Sequence, residues 1–385
     1  MPWHEASAMS LREEFVEFAQ DSHLHFSELC QRYAISRKTG YKWLKRFLTE
    51  GRTGLADRSR QPQHWPTRTP PDVEQTILQV RQAHPAWGAR KIAHYVLQQR
   101  RLEAEQIPSP STITAILRRH GQLDVSERPK HHAWQRFEHA LPNALWQIDF
   151  KGGVVLGDAT HSRVFPLTVL DDHSRFSLGV RACPNQQKET VQAELTEIFR
   201  CYGLPERMTM DNGSPWGDTT ETPYTALTVW LLRLGIGVHH SRPYHPQTQG
   251  KDERFHRTLQ AELLTQTSFI DVANCQQAFD AWRQVYNHER PHQALGFAVP
   301  ASRYRPSERA FPEQLPVIAY GPTDQVRKVQ YQGEFFFQGR IFHVSRGFRG
   351  YPIALRPTLE DGVWDVYFCQ QWIKKIDLRS AERAE

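Results

Sequence analysis

"ALWQIDFKGGVVL", residues 144–156, is where the sequence changes period. Upstream, apolar residues recur at helical spacing; here they alternate. Strict alternation over this stretch puts Trp146, Ile148 and Phe150 on one face of a strand and Gln147, Asp149 and Lys151 on the other. Two more short apolar runs come next, "RVFPLTVLDD" and "RFSLGVRA". After them come a helical segment, "QKETVQAELTEIFRCYG", a strand, "ERMTMDNG", and a short strand, "IGVHH". A long helix, "FIDVANCQQAFDAWRQVYNHERPH", closes the block. Strands first, then alternating helix and strand, predict a mixed α/β sheet of about five strands over residues 144–300.

Upstream of this block the pattern is helical. "SLREEFVEFAQDSHLHFSELCQRYAISRKTGYKWLKRFLTEG" reads as three helices. Ser10 with Glu13 suggests a capping box, with Leu11, Phe15 and Phe18 on one face. Phe26, Leu29, Cys30 and Tyr33 group on a second helix. Ser36 is placed to cap a third, which should turn Leu44, Phe47 and Leu48 inward and leave Arg37, Lys38, Tyr41, Lys42, Lys45 and Arg46 outward. Two helices joined by a tight break, the second basic on its free face, are the pattern of a helix-turn-helix, assigned to residues 1–56. A Pro- and Arg-rich linker, 57–71, leads to a second helix-turn-helix-like unit at 72–121, where Ser111 is a candidate cap. A polar, basic connector, 122–143, joins it to the central block. From 323 to 380, β-rich runs at short intervals, with turns at Gly333, Gly339 and "EDG", suggest a small antiparallel barrel.

Charge follows the same division. The chain of 385 residues carries 48 basic and 42 acidic side chains. Residues 1–140 hold 21 basic and 15 acidic groups, a net +6; residues 141–300 hold 14 and 17, a net −3; residues 301–385 hold 13 and 10, a net +3. Basic ends around an acidic middle suit a protein that grips a polyanion and keeps a cation-binding centre. The five cysteines are scattered with no Cys-x-x-Cys, which argues against a disulfide frame or zinc finger. No stretch approaches roughly 18 consecutive apolar residues, and no signal peptide is visible at the start. A soluble, cytoplasmic protein is expected, with no membrane partner. No phosphate-cradling Gly-x-x-x-x-Gly-Lys-Ser/Thr motif occurs, so no ATP is implied.

Three carboxylates in the central block invite a chemical reading. Asp149 leaves a strand opposite three large apolar residues; by itself it could be a solvated surface acid. Asp211 ends a strand before Asn212-Gly213, a sequence that also makes ordinary turns. Glu253 lies in "HPQTQGKDERFHRTLQAE", residues 245–262, beside a second acid, Asp252. On a helical wheel Asp252 falls in the arc of Phe255, Leu259 and Leu263, whereas Glu253 points away with His256, Arg257 and Gln260. Glu253 could equally make a pair with Arg257 one turn on. Asp252 is expected to be tolerated by projecting past the core. One acid mid-strand, one at a strand end and one on a helix are what a pair of divalent metals needs, with oxygen ligands held by separate elements. Asp171 and Asp172, in "VLDDHSRF", read as structural residues of a hairpin loop. His239, His240 and His245 cluster without zinc-ligand spacing.

The motifs "LWQIDFKG", "LDDHSRF", "DNGSPW" and "RPYHPQTQGKDERFHRTL" together resemble the DDE transposases and integrases, specifically bacterial insertion-sequence transposases with a retroviral-integrase-like core. "RYAISRKTGYKWLKRF" and "HPAWGARKI" are similar to the DNA-binding part of the same enzymes. The resemblance implies a ribonuclease-H-like core and Asp149, Asp211 and Glu253 as the catalytic, metal-binding triad. It further implies two Mg2+ ions, with Mn2+ able to substitute, and strand cleavage followed by strand transfer. The implied partners are double-stranded DNA, as element terminal repeats and target, and at least one more copy of the chain in a nucleoid-associated assembly. DNA contacts are expected from the outward residues of the third helix, from Arg58 and Arg60 in the linker, and from Lys251, Arg254 and Arg257 beside the triad acid. Between Asp211 and Glu253 lie 41 residues, more than is usual in the family, which predicts an enlarged loop near "WGDTTETPYTA". Gln260 stands where relatives often carry a basic residue, and Asp252 where they carry a small apolar one. Two rival readings share these features: a non-catalytic DNA-binding regulator, and a structure-specific nuclease of the same fold.

Overall fold

The computed structural model describes residues 7–20, 25–58, 69–123, 138–157, 162–217, 224–240 and 250–379. The chain forms two compact units, Met1–Arg68 and Thr69–Glu385.

The first unit is a three-helix helix-turn-helix: α1 (Ala8–Ala19), α2 (Phe26–Arg32) and α3 (Arg37–Glu50). The cap of α1 is Ser7, whose hydroxyl accepts the Ser10 N–H at 3.1 Å. The expected Ser10–Glu13 box does not form, because Ser10 already lies inside the helix and Glu13 pairs with Arg52. Ser36 caps α3 as expected, accepting from Thr39 N–H at 3.1 Å. The inward face of α3 is Gly40, Trp43, Leu44 and Phe47. These positions follow the 3.6-residue period, and Leu48, one step off it, is exposed rather than buried. A Cβ on Gly40 would lie 2.7 Å from Cys30 Sγ and 2.9 Å from the Phe15 ring, so glycine sets how closely α3 approaches α1 and α2. Leu11 and Phe18, expected inside, are partly exposed; Phe15 and Val16 fill that space.

In the second unit, α4 (Pro71–Ala83), α5 (Ala89–Gln98) and α6 (Pro110–Arg119) surround a core of Ile77, Trp87, Ile92, Ile113 and Leu117. The α6 cap is Ser109, not Ser111, because Pro110 supplies the first helical position. The central sheet comprises β1 (Trp146–Phe150), β2 (Val154–Val155), β3 (Arg163–Asp171), β4 (Ser177–Cys183), β5 (Arg207–Met210) and β6 (Gly237–His240). β3 pairs antiparallel with β4 on one side and with β1 and β2 on the other; β1, β5 and β6 then run parallel. Helices α7 (Lys188–Tyr202) and α8 (Ala226–Arg233) bury the Trp146–Ile148 face. Helices α9 (Gly250–Leu259) and α10 (Val272–His288) cover the opposite face with Phe255, Leu259, Phe279 and Trp282. The alternation read in β1 therefore points Asp149 toward α9.

The C-terminal part differs from the expected barrel. Strands β7 (Gln325–Lys328), β10 (Pro352–Pro357), β11 (Val363–Phe368) and β12 (Gln371–Asp377) make a four-stranded antiparallel sheet. β8 (Glu334–Phe337) and β9 (Arg340–His343) form a separate hairpin, and the two sheets do not close. Their apolar faces (Phe335, Phe337, Ile353, Val366 and Phe368 among them) merge with the core over α7 and α8, which replaces closure as the means of burial. Among the described residues, no helix is long and apolar enough to cross a membrane.

Candidate active site

Two of the sequence-predicted acids come together at the C-terminal ends of two central strands, β1 and β5. β1 and β5 are parallel neighbours, with Trp146 opposite Met208 and Gln147 opposite Thr209. Carried two residues further, this register sets Asp149 level with Asp211, at the roughly 4.8 Å spacing of adjacent strands. Asp211 is held by its turn: its Oδ1 accepts the Gly213 N–H at 3.1 Å, and its carbonyl accepts from His240 Nδ1 at 2.9 Å. Asp149 Oδ1 accepts the Phe150 N–H at 2.8 Å. Burial raises the Asp149 carboxyl to about 6, and the neighbouring charge of Asp211 pushes the same way.

The third acid sits on α9. Glu253 is exposed and makes no ion pair among the described residues, including with Arg257. The two residues preceding it on the helix anchor α9 to the molecule. Lys251 forms an ion pair with Asp172, so the ammonium expected to reach DNA is directed into the fold. Asp252 is 2% exposed, and its Oδ1 has no hydrogen-bond partner among the described residues. Its carboxyl is held well above the usual range by burial, then by Asp149 and Asp172. The expectation that residue 252 would project past the core is thus corrected: the wheel position wins, and the carboxylate goes inside with Phe255 and Leu259.

Asp171 and Asp172 are structural, as read, but as buried hubs and not as a solvated loop. Asp171 accepts from the backbone N–H groups of Asn143 and Ser174 and from the Ser174 hydroxyl. Asp172 accepts from Gln147 Nε2 and the His139 N–H besides Lys251. These bonds tie the connector, the β3–β4 turn and α9 together behind the acids.

One residue was missed by the sequence reading. His256 lies one turn beyond Glu253, half-buried, with Nε2 at 2.8 Å from Thr168 Oγ1 and Nδ1 at 3.8 Å from Asp149 Oδ2. Its signal was present as the spacing Glu-x-x-His on a helix. Among the described residues no three His, Cys, Asp or Glu side chains converge as a closed ligand set. The donor set nevertheless suits a hard cation: Asp149 Oδ2 accepts no hydrogen bond among the described residues, and Asp252 adds a second buried, under-partnered carboxylate. Together with Asp211 they concentrate negative charge beside these strand ends.

The residues expected to touch DNA divide by placement. Arg37, Lys38, Tyr41, Lys42 and Lys45 are exposed on α3, and Arg46 is partly exposed. Trp43 beneath them is surrounded by cations, with Arg12 at 4.0 Å, Lys42 at 4.4 Å and Arg46 at 5.1 Å from its ring. Arg58 pairs with Glu50, and Arg60 lies outside the described residues, as do His245 and most of the enlarged loop. Arg254 and Arg257 are exposed beside Glu253.

Known families match several segments of the chain. The integrase core domain family matches residues 139–246 and again 234–300. The C-terminal domain of the IS481 family of transposases matches 324–384. A helix-turn-helix domain matches 11–63, and a homeodomain-like domain matches 39–117. The "Insertion element IS407 uncharacterized 31.7 kDa protein" of Burkholderia multivorans is 28% identical over 256 residues, 64% of this chain and 87% of that protein. The transposase for transposon Tn552 of Staphylococcus aureus is 23% identical over 359 residues, 81% of this chain and 71% of that one. Among solved structures, the catalytic core of BIV integrase is similar at a TM-score of 0.31 and 20% identity, covering 42% of this chain and 92% of that one.

Proposed function

We propose, from the premise that this chain is an insertion-sequence transposase with an integrase-like core, that Asp149, Asp211 and Glu253 hold its divalent cations while the helical units hold the ends of the mobile element. The observation that carries the reading is the β1–β5 register, which aligns Asp149 with Asp211, beside a helix whose His256 and Asp252 lie near Asp149 and whose Glu253 is exposed. Mg2+ is the proposed ion, in a pair, with Mn2+ able to replace it. When bound, two such ions activate an attacking oxygen and stabilise a leaving one in phosphoryl transfer.

The chain's own residues do the positioning. The Asp171–Asp172 hubs fix α9 through Lys251, so the Glu253 helix cannot slide along the sheet without breaking a buried ion pair. The exposed basic face of α3 supplies phosphate contacts from Lys42 and Lys45, and base-edge contacts from Arg37, Lys38 and Tyr41 near its start. Arg254 and Arg257 are proposed to hold DNA beside the acids; Lys251, already paired, is left out of that set. Cutting and joining two ends calls for at least two copies of the chain, acting on the nucleoid. The C-terminal sheets are read as a module that braces the core.

A strand-transfer assay tests this, using the element's own end DNA, a plasmid target and Mg2+, with wild type against Asp149→Asn. Joined products lost in the variant support the reading. Nicked but unjoined DNA would favour a nuclease, and specific binding with neither product, also with Mn2+, would favour a regulator.

A further inference from the structure

The triad reading leaves His256 without a role, and its hydrogen bonds define one. Thr168 Oγ1 donates its only proton to the Asp149 carbonyl at 3.0 Å. It has none left for His256 Nε2 at 2.8 Å, so Nε2 carries the hydrogen and donates to the hydroxyl. In a neutral ring that tautomer leaves the lone pair on Nδ1. Nδ1 lies 3.8 Å from Asp149 Oδ2. Two acceptors therefore lie close together with no hydrogen to share, an arrangement that repels unless a cation lies between them.

Two further features fit a cation there. A ligating histidine characteristically donates its other ring N–H to an oxygen that fixes tautomer and ring orientation, and Thr168 does this for His256. Glu253 and His256 also stand three residues apart on one helix face, the Glu-x-x-His spacing by which helices of dinuclear carboxylate proteins offer two ligands to a metal site. We propose that His256 Nδ1 is a ligand of the cation held by Asp149, making the site a mixed nitrogen–oxygen one that favours Mn2+ over Mg2+ more than carboxylates alone would. The inference rests on the carboxylate reading above. Its chemical basis is that Mg2+ keeps to oxygen ligands, whereas first-row transition ions such as Mn2+ also accept an imidazole nitrogen.

The test is pulsed electron paramagnetic resonance on the full chain loaded with Mn2+, comparing protein with natural and 15N-labelled histidine. The expected result is a nitrogen coupling on bound Mn2+ that changes with the isotope. It should vanish in His256→Ala while Mn2+ still binds, weakened by at least the roughly 10–100-fold that loss of an outer-shell partner costs. Mn2+ affinity should fall further than Mg2+ affinity. The wild-type isotope comparison needs no substitution, so a poorly folding variant leaves the test intact. Mn2+ bound in an Asp149-dependent way without nitrogen coupling would overturn the assignment. So would coupling that survives in His256→Ala, which would point to His240 beside Asp211. If Asp149→Asn binds Mn2+ as tightly as wild type, the carboxylate reading itself fails and takes the ligand with it.

Discussion

Replacing Asp252 with valine should stabilise the metal-free protein, and by more at pH 7.5 than at pH 4.5. The carboxylate is 2% exposed, Oδ1 has no partner among the described residues, and Asp149 and Asp172 add like charge. A buried polar group without a partner costs about 1–3 kcal/mol, and a charged one more. Valine removes that cost at nearly the same volume, on a face already occupied by Phe255 and Leu259. The pH dependence is a matter of linkage. The folded-state carboxyl titrates above its unfolded value of about 3.9, so over the interval between them the folded chain binds more protons than the unfolded one. Stability is therefore full below about pH 4 and is lost as pH rises through the folded value. Valine has no proton to lose, so its advantage should open across that window and then level off. Urea denaturation at the two pH values, monitored by fluorescence of the buried tryptophans, reads the difference. A gain of about 1 kcal/mol corresponds to a melting shift of roughly 2–4 °C for a domain of 150–250 residues. Added Mg2+ should narrow the gap, because a cation near Asp149 also offsets the Asp252 charge. A difference independent of pH, or a less stable valine variant at pH 7.5, would refute the reasoning.

Glu253→Gln should abolish cleavage and joining while leaving end-DNA affinity within about twofold, measured by gel shift beside the strand-transfer assay; retained chemistry would remove Glu253 from the site. Glu262→Gln should destabilise the second compact unit by about 3–5 kcal/mol, since it strips the counter-ion from Arg290, 7% exposed in its side chain, and from Lys91. Proteolysis of the 69–123 helices should rise with it; unchanged unfolding would show the pair to be dispensable. Gly40→Ala should cost the first unit about 1–3 kcal/mol by overpacking against Cys30 and Phe15, read as a lower unfolding midpoint of the full chain's first transition.

Periodicity carried most of the fold and part of the site. Alternation in β1 correctly separated Trp146 and Ile148 from Asp149, because a strand leaves its side chains only two directions. The wheel placed Asp252 inside and Glu253 outside for the same kind of reason. Errors arose where a local signal had two neighbouring candidates. Ser7 and Ser10, Ser109 and Ser111, and Leu48 and Trp43 differ by a few residues, and tertiary packing or a proline decided between them. Pairing across distance could not be read at all. That Lys251 turns to Asp172, or that Thr168 fixes the ring of His256, depends on β3 lying beside β1 in one register. The barrel expectation failed for a related reason: short strands and glycine turns specify hairpins, but whether the sheets close depends on what else covers their apolar faces, and here α8 and α7 do.

Helix α9 shows why so much is concentrated in so few residues. Each step turns about 100°, so consecutive side chains answer to different neighbours. Lys251 reaches the Asp172 hub, Asp252 and Phe255 enter the core, His256 comes within 3.8 Å of Asp149, and Glu253 stays exposed. Beyond Leu259 the helix widens into a π-helical turn over Gln260–Leu264. Within that turn Glu262 meets Arg290 at 2.9 Å and Lys91 of the second helical unit at 3.6 Å. A π turn adds a residue to the local repeat, which rotates the side chains of the turn and beyond relative to an unbroken α-helix. Glu262, nine residues beyond Glu253, already lies about 13.5 Å further along the axis and on the opposite side of a regular helix, so it meets a different partner set. One short helix and its π-helical extension thus carry the anchor to Asp172, the buried Asp252 and the docking of α5 on different sides.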